Sequence, residues 1–484
     1  MALFIISLAV LIGGYFTYGL LIERIIGIDP KVLTPASRLN DGIDYLPMPT
    51  WKVFLIQFLN IAGVGPIFGA IMGVLYGPAA FLWIVLGTIF AGGVHDFISA
   101  MISLRCDGKS LPEIVGIELG INVKRVMIVF TLILLVMVIA VFVKTPASLL
   151  ASMTPAHLNV EFWAIAIFIY YILATLLPID KLIGNLYPVF GAALLFMALG
   201  LIGYLLFSGI DIPTDIDLGL YNRMPHPDAT PVFPMMFVSI ACGAISGFHA
   251  TQSPMMARCL KNERHARPVF YGAMVAEGIV ALVWAAAAIA FANGYVGLQE
   301  YLAANGNEAG SVVTAICNNW LGLVGGILAI LGVIAAPITT GDTAMRSARL
   351  IIADTFGINQ KTLFKRFLVV LPLIVATYFL MKIDFSVLWR YFAWSNQSLS
   401  VFTLWAASVY LTRHGKTAII TVIPAMFMTV VCFTYILFAP LGQYDPSIGF
   451  NLQVSRFIGC AMAILFLGLF QRYKRNLTIS RKQE

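Results

Sequence analysis

Thirteen apolar runs, each about as long as a bilayer is thick, divide this chain almost from end to end. They lie near residues 2–22, 51–75, 79–104, 124–144, 160–178, 186–207, 233–255, 269–292, 312–337, 363–381, 385–411, 416–438 and 453–471. A hydrocarbon layer of about 30 Å takes roughly 20 apolar residues of helix. Only short stretches holding charges, prolines and glycines stand between the runs. Of the 484 residues 60% are hydrophobic and 11% are charged, against about 25% charged in a soluble domain. A water-exposed globule is excluded. The expected fold is an all-α polytopic membrane protein with one helix per run.

A formal charge of +7 would suit a nucleic-acid binder only if the basic residues shared one face. Instead they sort by loop. Counting alternate loops puts 25 lysines and arginines in one set, and in the other only Lys144, Arg223 and Lys382; Arg390 and Arg456 fall inside spans. Positive loops stay cytoplasmic. The expected topology in an inner (cytoplasmic) membrane is therefore N-terminus outside, C-terminus inside. No basic stretch precedes the first run and Glu23-Arg24 follow it, so it reads as a retained anchor rather than a cleaved signal. The six cysteines are scattered without a CxxC pair, which argues against a disulfide framework or a zinc motif.

Two spans are interrupted. The second carries Asn60-Ile-Ala-Gly63-Val-Gly65-Pro66-Ile-Phe-Gly69, and the seventh carries Ala241-Cys-Gly243-Ala-Ile-Ser246-Gly247-Phe-His249-Ala-Thr251-Gln252-Ser253-Pro254. Glycine weakens a helix interior and proline removes a backbone donor. In lipid such breaks survive where they are buried in protein or line a cavity. The plainer reading is a small-residue packing face. On the topology above, however, the two spans run in opposite directions and stand five spans apart. That pattern fits an inverted repeat: a leader helix at 1–22, one five-helix unit at 51–207, a second at 233–411, trailing helices at 416–471 and a cytoplasmic tail at 472–484. Interrupted spans at matching places in two halves point to a transporter's binding site.

These segments resemble the carbon starvation protein A family of membrane transporters. The resemblance rests on Thr34–Tyr45, Ile61–Pro66, Asp96 with Arg105–Leu111, Ile240–Ala250, Gly341–Arg349 and Asn396-Gln397. Cys242-Gly-Ala-Ile-Ser-Gly-Phe-His249 is the most specific of these. It implies uptake of pyruvate or short peptides during nutrient starvation, driven by a cation gradient, on a leucine-transporter-type 5+5 inverted repeat. This chain departs from the family in having Ile56-Gln57 where many members have paired histidines. It also departs in a segment after His249 that reaches Pro254 quickly, and in lacking a longer C-terminal portion.

A broken helix offers free N–H groups that suit a carboxylate. The expected substrate site is accordingly Asn60, Gly63, Gly65, Gly243, Ser246, Gly247, His249, Thr251, Gln252, Asn396 and Gln397. Expected ion-coupling residues are His95, Asp96, Thr339, Thr340, Asp342 and Thr343. Asp96 is a costly carboxylate inside a span, with a bond toward the Arg105 loop as its structural alternative. Thr339 and Thr340, at the inner end of the ninth span, form a candidate Na⁺ site because hard cations prefer oxygen. Asp342 has an ion pair with Arg346 as its structural alternative. The coupling ion is H⁺ or Na⁺, no other cofactor is expected, and the partners are a small carboxylate or peptide and the lipid bilayer, with no nucleic acid. A membrane-embedded redox or enzyme subunit is the competing class, but no haem, iron–sulfur or nucleophile–base spacing supports it.

Overall fold

A computed structural model describes residues 1–177, 183–212, 221–383, 385–439 and 449–483. Lys181, counted above among the loop cations, lies outside them. The described elements are helices, and the one extended pairing among them is an isolated bridge between Met48 and Leu260. In chain order the helices used below are α1 (Ala2–Ile26), α2 (Thr50–Ile61), α3 (Gly65–Tyr76), α4 (Ala79–Arg105), α5 (Ile121–Met153), α6 (Val160–Leu176), α7 (Ile183–Phe207), α8 (His249–Ala257), α9 (Glu263–Phe291), α10 (Ala309–Trp320), α11 (Gly322–Phe356), α12 (Leu363–Leu380), α13 (Phe385–Arg413), α14 (Ile419–Phe438) and α15 (Leu452–Gln483).

Eight helices among the described residues are long and apolar enough to cross a membrane, and α2 with α3 makes a ninth as one span bent by 54°. Of the other spans expected from sequence, 385–411 is the continuous helix α13 and 312–337 is divided between α10 and α11. α6 is apolar but short, and the seventh span is non-helical over most of 240–248 before α8 begins. The trailing helix α15 continues through the expected tail to Gln483.

Burial separates a centre from a rim. α4 and α9 are 83% buried over their apolar windows, whereas α15 is 17% buried and α12 and α1 28%. α9 can sit centrally because Ala285-Ala286-Ala287-Ala288 gives it a thin wall. It packs on both α2 and α3, while α8 packs on α4, and α5 lies along α11.

The ninth span differs from its expected bounds. The chain breaks at Leu321, between α10 and α11, and α11 then runs unbroken for 35 residues through Pro337. Thr339, Thr340, Asp342 and Thr343 therefore sit mid-helix rather than at an inner end. Proline leaves the carbonyl four residues before it without a helical donor, and at Pro146 of α5 a tyrosine from α6 takes that place. The hydroxyl of Tyr171 on α6 donates to Pro337 O at 3.1 Å. It also reaches Phe142 O at 2.7 Å, the carbonyl that Pro146 of α5 leaves without its helical donor.

Candidate functional site

The two interruptions meet. α3 presents Gly65, Gly69 and Gly73 at four-residue spacing. A methyl group built on them would strike, in turn, the Cys242 side chain, the Ser239 carbonyl and the Ile240 side chain. Gly243 has φ +92°, a left-handed conformation open to glycine, and its Cα faces Pro66 and Ala281. Gly87 and Gly92 of α4 close on Ala244 from another side. Bare backbone on three segments lets the chain cross at both breaks.

The second break gathers an acid–imidazole cluster. Asp96 on α4 holds His95 Nδ1 with one carboxylate oxygen and His249 Nδ1 with the other, each at 2.8 Å. On the far side of the His249 ring, Nε2 lies 3.5 Å from a carboxylate oxygen of Glu277 on α9. All four side chains are fully buried. Asp96 thus finds its partners in histidines, while Arg105 pairs with Glu263 and donates to the carbonyls of Ile26 and Gly27. Thr88 donates to Gly243 O at 2.9 Å, anchoring the break to α4.

Asn396 of α13 completes this end. Its side-chain oxygen accepts from Ser246 Oγ at 3.0 Å and from Phe248 N at 2.7 Å, and its main-chain oxygen accepts from Gly247 N at 3.1 Å. The N–H groups expected to hold a carboxylate are thus engaged by a neutral amide. Gly247 is pressed against Asn396 O and Ser400 N, with no room for a methyl group. Thr251 and Gln252 bond within their own segment, to Phe248 O and Thr251 Oγ1. Gln397 donates to Phe237 O.

The first break gathers hydroxyls and a second carboxylate. Leu59 O loses its helical donor where α2 ends, and Thr340 Oγ1 donates to it at 3.0 Å, sharing its proton with Ala336 O. Thr339 and Thr343 hydroxyls also point to helix carbonyls of α11. Asp342 accepts from Tyr187 of α7 at 2.6 Å. Arg346, expected as its ion-pair partner, turns away to Asp44 and to the carbonyls of Ala174 and Leu177. Gly63 abuts the Phe142 ring and Thr340. Nearby on α2, the amides of Gln57 and Asn60 are fully buried and neither atom of either amide has a hydrogen-bond partner. A buried unsatisfied polar group costs about 1–3 kcal/mol, so four such atoms concentrate a large cost on one helix.

Glu277, Cys242, Tyr171 and Tyr187 lay outside the residues expected from sequence. A lone carboxylate in the apolar run 269–292 was the available signal for Glu277.

The fold is that of a membrane transporter. A solved manganese transporter of Eremococcus coleocola matches 91% of this chain and 99% of its own length, with a TM-score of 0.51 at 12% identity. The family model of carbon starvation protein CstA matches residues 1–160 and 153–324. A Haemophilus influenzae protein described as an uncharacterized membrane protein is 43% identical over 351 residues, 62% of this chain and 94% of that one. The pyruvate/proton symporter BtsT of Escherichia coli is 29% identical over 369 residues, and the peptide transporter CstA of the same organism 29% over 337. Those alignments cover 64% and 57% of this chain and 51% and 48% of the two transporters, about half their length. This chain belongs to the CstA carbon starvation family.

Proposed function

We propose that the protein is a cation-coupled secondary transporter that takes up small organic carboxylates of the pyruvate kind, or short peptides, by alternating access. The observation that carries this reading is the crossing of two interrupted spans, Gly65 on Cys242 and Pro66 on Gly243, beside four unsatisfied amide atoms of Gln57 and Asn60. Broken spans that cross midway leave backbone polar groups where a substrate can reach them. The Gln57 and Asn60 amides are the substrate contacts we assign, joined by the N–H groups of Gly247 and Phe248 when Asn396 moves off them. The coupling cation is assigned to Asp342 if it is H⁺, and to the Thr340 hydroxyl and Leu59 carbonyl if it is Na⁺. Oxygen donors of this kind suit a hard cation. The inverted 5+5 arrangement, the thirteen-span count and an inward C-terminus in the cytoplasmic membrane belong to the same reading, supported by the loop-charge asymmetry.

The test is uptake of labelled pyruvate and of a labelled dipeptide into proteoliposomes, with pH and Na⁺ gradients imposed separately. Accumulation of one substrate under one gradient is expected, with apparent affinity at least tenfold weaker in Asn60→Ala. Asp342→Asn is expected to retain substrate exchange but lose gradient-driven accumulation. Absence of accumulation of either substrate in folded, inserted protein would overturn the substrate assignment.

A further inference from the structure

We propose that Cys242, His249 and Glu277 form a binding site for a divalent transition-metal cation of the zinc class. Cys242 and His249 stand at the two ends of the second break, and Glu277 comes from the middle of α9. Their ligand atoms all lie within 4.8 Å of one another, and all three residues are buried. No cysteine spacing in the sequence announces the site, because the third ligand, Glu277, is supplied by another helix.

The histidine is already oriented for the task. A metal-binding imidazole characteristically gives its second ring nitrogen to a carboxylate, which fixes the tautomer and strengthens the ligand. His249 Nδ1 is 2.8 Å from Asp96, and Asp96 is itself braced by His95 at 2.8 Å. That leaves Nε2, which has no hydrogen-bond partner, facing Glu277 at 3.5 Å. Neither carboxylate oxygen of Glu277 makes a hydrogen bond. Cys242 Sγ is lightly engaged, 3.5 Å from Asn396 Nδ2 and 3.7 Å from Ser246 Oγ.

Charge points the same way. A carboxylate deep in low-dielectric protein needs a compensating charge. The ion-pair partners of Asp96 and Glu277 among the described residues are histidines alone. One divalent cation would balance the Glu277 carboxylate and the Cys242 thiolate, while Asp96 keeps its bonds to His95 and His249. The ligand set decides its class: thiolate and imidazole favour zinc-like ions over Na⁺, Mg²⁺ or Ca²⁺, which take oxygen. Zinc–sulfur and zinc–nitrogen distances of about 2.3 and 2.0 Å require the three groups to draw together. Three protein ligands leave a fourth tetrahedral position for water or a small oxygen ligand.

The site adjoins the proposed substrate path, yet its test needs neither substrate nor gradient, so the two proposals fail separately. Full-length protein, purified in detergent and stripped with a chelator, is titrated with Co²⁺ while thiolate-to-cobalt charge-transfer absorption is followed; Zn²⁺ then competes. One Co²⁺ per chain, displaced by Zn²⁺, is expected. Cys242→Ser should lose the charge-transfer band, and Glu277→Gln and His249→Gln should bind at least 100-fold more weakly. Asp96→Asn, which acts through His249, should weaken binding by about 10–100-fold. Size exclusion checks folding of each variant, and Cys242→Ser carries the test alone if the His249 variant is unstable. No stoichiometric binding by monodisperse wild-type protein, or binding unaltered by both Cys242→Ser and Glu277→Gln, would overturn the proposal.

Discussion

Asp44 and Glu277 are both buried carboxylates in a chain made for lipid, and they are held in opposite ways. Asp44 lies in the loop before α2, pinned where Leu46 N and Met48 N donate to the carbonyls of Arg258 and Cys259. It meets Arg346 and Arg349 of α11 at 3.3 Å each. Arg346 also holds the carbonyls of Ala174 and Leu177, and Arg366 holds Leu176 O, so guanidinium groups cap the end of α6. Glu277 has a histidine 3.5 Å away and no hydrogen bond. The Asp44 cluster carries its own permanent positive charge, whereas the Glu277 cluster has only histidines as partners. The first is a lock; the second is a receptor for cations.

Removing the acid should therefore have opposite consequences at the two places. Asp44→Asn strands two buried arginines, and breaking a buried pair from one side costs about 3–5 kcal/mol. A large fall in Tm in detergent is expected, and an unchanged Tm would break the comparison. Gly69→Val forces a side chain into the Ser239 carbonyl, and overpacking of this kind costs about 1–3 kcal/mol. Its Tm should fall by less than that of Asp44→Asn. Glu277→Gln removes a carboxylate that has no fixed cation, so its Tm in metal-free buffer should match or exceed the wild type; a loss comparable to Asp44→Asn would equate the clusters.

Acidity sharpens the contrast further. Burial pushes the Asp44 carboxyl up, but Arg349 and Arg346 more than offset this and hold it below its ordinary value of 3.8. A group with a lowered folded-state pKa stabilises fully above its unfolded value and loses that contribution as pH falls through the folded one. The Tm gap between wild type and Asp44→Asn should thus stay flat above about pH 5 and close below about pH 4. Differential scanning fluorimetry across that range reads it directly.

Much of this was legible in the chain. Apolar runs located the helices, and Gly63, Gly65, Pro66, Gly243 and Gly247 located the breaks, because those residues act on the backbone of their own segment. What could not be read was which distant groups would meet. His249 and Asp96 are 153 residues apart, and the periodicity of one helix says nothing about where another crosses it. Pro337 read as the end of a span, whereas the helix runs on through it to Phe356. Asp342 accordingly sits inside the helix rather than at a rim, and Arg346 pairs with Asp44 instead. Glu277, a lone carboxylate in its own apolar run, meets His249 of another segment.

The row of Gly65, Gly69 and Gly73 facing 239–242 has a mechanical side. Interlocked side chains act as teeth, and one helix passes another only if rotamers unlock together. Along this row α3 has no teeth. Displacement there meets low friction, with resistance concentrated in a few identifiable latches: Thr88 on Gly243, Asn396 on Ser246 and Phe248, and Asp96 on His249. On the proposed alternating access the broken span is a bolt in a smooth slot, held by those latches.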